Sequence, residues 1–109
     1  LILGSWYNFI MRAKKPRQRK IINEIPVEKI IKGFANKHRL DIISLLEKRP
    51  GLSIDNISEL LHMEYKNTSA HLYKLSIGGI IDKKYRGATV FHSLTDRGKS
   101  ILQFVRIME

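Results

Sequence analysis

The feature that most constrains this chain is a spacing: two short amphipathic stripes stand only three residues apart. Ile54, Ile57, Leu60 and Leu61 recur at the intervals of one helix face. After His62-Met63-Glu64 the same periodicity resumes with Thr68, Leu72 and Leu75. So tight a connection keeps the two helices in contact, and helices this short need tertiary packing to exist. Ser53 stands where an N-cap belongs, its hydroxyl able to accept from a free amide of the first turn. Gly78-Gly79 closes the second helix, because glycine enters the left-handed region without penalty.

The flanks supply what this pair packs on. From Pro26 onward, Val27, Ile30, Ile31 and Phe34 mark one helical face. Asn36 caps a second helix in which Leu40, Ile42, Ile43, Leu45 and Leu46 are apolar nearly all round, the signature of a central, buried helix. Pro50-Gly51 stops it, and Leu52 reads as a very short strand. Downstream, Ile80 to Tyr85 is strand-like, Arg86-Gly87 reads as the turn, and Thr89 to Leu94 returns. Thr95 then caps a last helix with the stripe Ile101, Leu102, Phe104, Val105 and Met108. The predicted order is α-α-α-α-β-β-α, mostly α with a small β-hairpin. That is a winged helix-turn-helix over residues 25–109, preceded by a basic N-terminal arm over residues 1–24.

Charge narrows the partner. The 20 Lys and Arg against 10 Asp and Glu leave +10, which favours nucleic acid, an anionic membrane or an acidic protein. Arg12, Lys14, Lys15, Arg17, Arg19 and Lys20 crowd into a stretch without an acid. That arm reads as DNA-binding, as membrane-docking or as solvated chain, and these three readings stay open. The apolar start Leu1 to Ile10 is short of the roughly 20 residues a spanning helix needs. It would be the end of a membrane span only if further residues precede it. The absence of cysteine excludes a disulfide framework, a thiolate metal site and a cysteine redox switch. A cytoplasmic, nucleoid-associated protein is the expectation.

In a helix-turn-helix the second helix enters the major groove. With Thr68, Leu72 and Leu75 inward, Lys66, Asn67, Ala70, Tyr73 and Lys74 point outward. Asn suits adenine, and Lys suits guanine or phosphate. Tyr65 sits at the head of the helix, where it can stack on a sugar, reach a phosphate or pack on the turn. Lys83, Lys84 and Arg86 give the hairpin a basic wing for the backbone or minor groove. The plainer alternative is a solvated face on an ordinary helix and a charged turn. His38, His62 and His92 have no ligand-like spacing and read as solvated or structural.

Several segments carry a family likeness. They are Ala35-Asn36-Lys37-His38-Arg39-Leu40, Ser69-Ala70-His71-Leu72-Tyr73-Lys74-Leu75, Gly79-Ile80-Ile81 and Phe91-His92-Ser93-Leu94-Thr95-Asp96-Arg97-Gly98. In order and spacing, Phe34 to Gly98 resembles the arsenic-repressor (ArsR/SmtB) type of winged-helix regulators, with MarR-like relatives close behind. The resemblance implies a homodimeric repressor on a palindromic operator. It adds Ser69 and His71 as residues that touch DNA or buttress the helix. The chain departs from the metal-sensing members: Ser53 and Asp55 stand where those carry a Cys-x-Cys pair, and the last helix has no His. No metal and no other cofactor is therefore expected.

Two apolar stripes remain for a partner: Val27, Ile30, Ile31 and Phe34, and Ile101, Leu102, Phe104, Val105 and Met108. Leaving both wet is costly, so a homodimer through the terminal helices is expected. No catalytic pattern emerges. Ser93 and Ser100 lack a base and carboxylate, Gly78-Gly79 is not a phosphate loop, and Asp55 and Glu59 have no partner motif. The expectation is a sequence-specific transcription regulator bound to double-stranded DNA, not an enzyme, with its effector, if any, unread. The rival reading is a winged helix serving as a protein–protein, RNA or replication module, membrane-tethered if upstream sequence exists. Basic residues on both the wing and the recognition helix favour DNA.

Overall fold

The computed structural model describes residues 25–109, so the expected N-terminal arm lies outside the described residues. The elements are α1 (Val27–Phe34), α2 (Lys37–Lys48), α3 (Ile54–Leu61), α4 (Tyr65–Ile77), β1 (Ile81–Arg86), β2 (Thr89–Leu94) and α5 (Asp96–Met108). Their order is the predicted one. α2 is the hub and packs on each of the other four helices and on β2. Its Ile42, Ile43 and Leu46 are buried with Ile57, Leu72, Leu75, Ile80, Ile81, Ile101 and Leu102. Truncating any of these large aliphatic side chains to Ala is expected to cost about 2–5 kcal/mol.

Local chemistry sets the boundaries. The Asn36 side chain accepts from the amides of His38 (2.9 Å) and Arg39 (3.2 Å) and starts α2. Ser53 and Asn56 form a reciprocal capping box on α3. The α3–α4 turn opens with His62 in the left-handed region, at φ 56°, while the Met63 amide donates to the Ser58 carbonyl at 2.9 Å. Across this turn the Ser58 hydroxyl donates to Thr68 Oγ1 (2.9 Å), and Thr68 donates to the Glu64 carbonyl (3.0 Å). Thr68 is fully buried, so this pair satisfies the one polar group that the α3–α4 contact encloses.

The hairpin is fastened at both ends of its base. The Thr95 hydroxyl donates to the carbonyls of Gly79 (2.7 Å) and Ile80 (3.0 Å), and its oxygen caps Gly98. Gly98 lies so close to the Ile80 carbonyl that any Cβ there would collide with backbone. Gly79 has φ +69°, which only glycine adopts easily. On the other side, Leu52 and His92 form an isolated antiparallel bridge, and His92 Nδ1 donates to the Leu52 carbonyl at 3.0 Å. Leu52 is thus the short strand expected, and His92, 1% exposed, is structural.

Two expectations are corrected. The hairpin loop is Gly87-Ala88, not Arg86-Gly87: Arg86 still pairs with Thr89, and Gly87 takes the positive φ (60°). The terminal stripes are also not interface throughout. Ile101 and Leu102 belong to the domain's own core, and Ile30, Phe34 and Val105 pack against it. The outer edge of each stripe stays exposed: Val27 and Ile31 on α1, Phe104 and Met108 on α5, joined by Ile107. The reason is geometric. Successive helical residues rotate by about 100°, so a stripe this broad has an inner edge facing the core and an outer edge that cannot.

Candidate nucleic-acid interface

α4 divides cleanly. Thr68, Leu72 and Leu75 are buried against α2 and α3, while Tyr65, Lys66, Asn67, Ala70, Tyr73 and Lys74 are exposed on the outer side. Glu64 is the N-cap residue and makes no side-chain cap bond. The free amides of the first turn therefore point outward with the positive end of the helix dipole, a site suited to phosphate. The Asn67 amide donates to the Glu64 carboxylate at 3.4 Å, so Glu64 orients Asn67.

Ser69 and His71 are only half-buried and sit at the flank of this face. His71 Nδ1 lies 3.4 Å from an Arg39 guanidinium nitrogen, and its ring lies 5.6 Å from that of His38, tilted by 35°. Burial, then the Arg39 charge, then His38 lower the His71 pKa. Arg39 also reaches the Lys32 carbonyl at 3.5 Å, so one guanidinium touches both α1 and α4. Its buried Nε finds no hydrogen-bond partner among the described residues. This brace behind the reading face was missed in the sequence. Arg39 and His71 are 32 positions apart, and only the likeness of the Ala35–Leu40 segment to known regulators pointed there.

The three wing cations do not form one cluster. The register pairs Lys83 with His92 and Tyr85 with Val90 on one face, and Lys84 with Phe91 and Arg86 with Thr89 on the other. At the hairpin tip Ala88, Thr89 and Val90 border a concavity shared with Ser53, Asp55 and Tyr65. Lys84, Arg86, Phe91 and Ser93 border a different concavity with Pro50 and Gly51. Period-two alternation is the cause: adjacent strand residues face opposite ways.

At the positions of the metal sensors' thiolate pair, the Ser53 hydroxyl is committed to capping α3 and Asp55 is exposed. Among the described residues there is no group of three or more His, Cys, Asp or Glu placed to hold a metal ion. No helix of the described residues is long and apolar enough to cross a membrane.

A three-residue turn between α3 and α4, an outward polar face on α4 and a hairpin directly after it define a winged helix-turn-helix, the architecture of a large class of DNA-binding transcription regulators. The comparisons narrow the likeness: residues 36–83 match the family model for the bacterial regulatory proteins of the arsR family. No curated protein matches the chain. Among solved structures, it resembles HlyU from Vibrio cholerae (25% identity, TM-score 0.66, 75% of this chain and 89% of that one). It also resembles Mb0332 from Mycobacterium bovis, a homodimeric winged helix-turn-helix DNA-binding domain described as a possible ArsR-family transcriptional regulator. That likeness has 22% identity and a TM-score of 0.70, over 84% of this chain and 83% of that one. The transcriptional repressor PagR of Bacillus anthracis is similar over 72% of this chain and 90% of its own, with 23% identity and a TM-score of 0.64.

Proposed function

We propose that this chain represses transcription as a cytoplasmic homodimer that lays its two α4 helices into successive major grooves of an inverted-repeat operator. The observation that carries the reading is the sidedness of α4, which buries Thr68, Leu72 and Leu75 and presents Lys66, Asn67, Ala70, Tyr73 and Lys74 to solvent. Lys66 and Asn67 lie near its N-terminus, where base edges are met, and Tyr73 and Lys74 lie toward the far end. The wing follows the backbone. The reading includes no catalysis and no resident metal.

The second copy is supported by Phe104, Ile107 and Met108 on α5 and by Val27 and Ile31 on α1. All five are exposed apolar side chains on helices that pack onto α2. Two half-sites about 34 Å apart require two such domains in fixed relation. The test is sedimentation equilibrium combined with titration of a labelled operator. The parent is expected to be a dimer at micromolar concentration and to bind with steep salt dependence. Phe104→Asp should give a helical monomer that binds the operator about 100-fold or more weakly, because linkage between half-sites is lost. A parent that stays monomeric on DNA, or a Phe104→Asp variant that binds as the parent does, overturns the reading.

A further inference from the structure

Between α1 and the C-terminal half of α4 runs a groove of about 230 Å³, lined by Lys29, Lys32, Gly33, Tyr73, Lys74 and Ile77. Lys29, Lys32 and Gly33 are one i, i+3, i+4 row of α1, and Tyr73, Lys74 and Ile77 face them from α4. Gly33 is buried where the two helices pack closely: an added Cβ would sit 3.3 Å from both the Lys74 carbonyl and Ile80 Cδ1. Tyr73 and Ile77 remain exposed along the walls. Among the described residues the one salt bridge joins Arg106 to Glu47, and no carboxylate of these residues pairs with the three lysines.

We propose that this groove is a binding site for a small amphipathic anion, with its carboxylate among Lys29, Lys32 and Lys74 and its apolar body over Gly33, Tyr73 and Ile77. Three lysines lining a recess together with apolar side chains are complementary to such a molecule. A DNA phosphate is a poorer fit, because it has no apolar part to cover the walls and is contacted by cations on an open surface. The volume lies somewhat below the roughly 300 Å³ at which sites for drug-sized ligands begin, which limits the occupant to a short acyl or single-ring acid. Occupation has a consequence that rests on the function proposed above: it engages Tyr73 and Lys74, which belong to the DNA face, and so competes with the operator.

The experiment titrates the full chain, without DNA, with octanoate, 1-octanol and inorganic phosphate, following backbone amide shifts by NMR. Octanoate is expected to saturate one site, moving the amides of Gly33 and Ile77. The alcohol and phosphate should each bind about tenfold or more weakly, since one lacks the charge and the other the apolar body. Lys29→Gln with Lys32→Gln should weaken octanoate about tenfold. These two residues lie outside the DNA face, so operator affinity without octanoate should hold in the double variant. Octanoate should lower that affinity in the parent and not in the variant. Equal binding of octanoate and octanol, phosphate binding as strong as octanoate, or unchanged octanoate affinity in the variant each overturns the proposal. Because the titration contains no DNA, failure of the operator reading leaves its outcome intact.

Discussion

The recognition helix and the wing are both basic, exposed and adjacent in sequence, yet they display charge in opposite ways. On α4, residues from Lys66 to Lys74 gather on one side because helical periodicity returns every third or fourth residue to the same face. On the hairpin, the neighbours Lys83 and Lys84 are sent to opposite faces. A run of cations in a helix is therefore a patch only at the right spacing, and a run in a strand is two half-patches. The two regions also differ in support. α4 is held by buried Leu72 and Leu75 and the Ser58–Thr68 bond, whereas the wing hangs from the Leu52–His92 bridge, the Thr95 hydroxyl and one buried histidine.

The comparison can be broken most directly on α4. Lys66→Ala or Asn67→Ala is expected to weaken operator binding by about 1–3 kcal/mol and to relax preference at particular base positions. Equal losses across all sequences would make α4 a phosphate clamp rather than a reader.

The next effect concerns how the wing is held. His92→Leu removes the side-chain bond to Leu52 and should cost about 1–2 kcal/mol of stability, measured by urea titration. Burial, helped by Lys83 and opposed by the Leu52 hydrogen bond, lowers the His92 pKa below the ordinary 6.5. The unfolded chain then binds the proton more readily. His92's contribution is complete above about pH 6.5 and is lost as pH falls toward the folded-state pKa. The parent should therefore lose stability on acidification faster than His92→Leu, and parallel curves would contradict the assignment.

Smaller still is the contrast between the two lysines. Lys83→Ala, on the face shared with His92, should reduce the salt slope of binding by about one, whereas Lys84→Ala, on the opposite face, should leave it nearly unchanged. Identical slopes would mean that the wing inserts edge-on and uses both faces. The smallest change is expected at the turn. His62→Gly relieves a left-handed backbone and should stabilise the fold by about 1 kcal/mol or less, without altering DNA affinity.

Legibility followed the same divide. The five helices, their caps at Asn36, Ser53 and Thr95, and the inner and outer sides of α4 could be read because each depends on residues within one turn of another. The strands were located to within a residue, but the loop was misplaced, since pairing register and the φ of Gly87 decide it together. The terminal stripes were too generous: periodicity tells which residues share a face, not how much of that face the domain itself covers. Ile101 and Leu102 turned inward for that reason. The Arg39–His71 brace and the His92 anchor join distant parts of the chain, and no local pattern announces them.

The Leu52–His92 bridge also has a topological effect. Its two residues are 40 positions apart, and between them lie α3, the turn, α4, β1, the hairpin loop and the start of β2. The bridge closes those residues into a loop whose ends are stapled together, so the DNA-reading unit is a ring hung on α2. Fraying that begins at either chain terminus stops at the staple, and the ring must open as one cooperative unit. Once open, it regains the entropy of a long free loop, a term that grows only with the logarithm of loop length. Insertions in the wing tip or the α3–α4 turn would therefore lengthen the ring at little thermodynamic cost, while a change at the staple would loosen the wing and leave α4 held by Leu72 and Leu75.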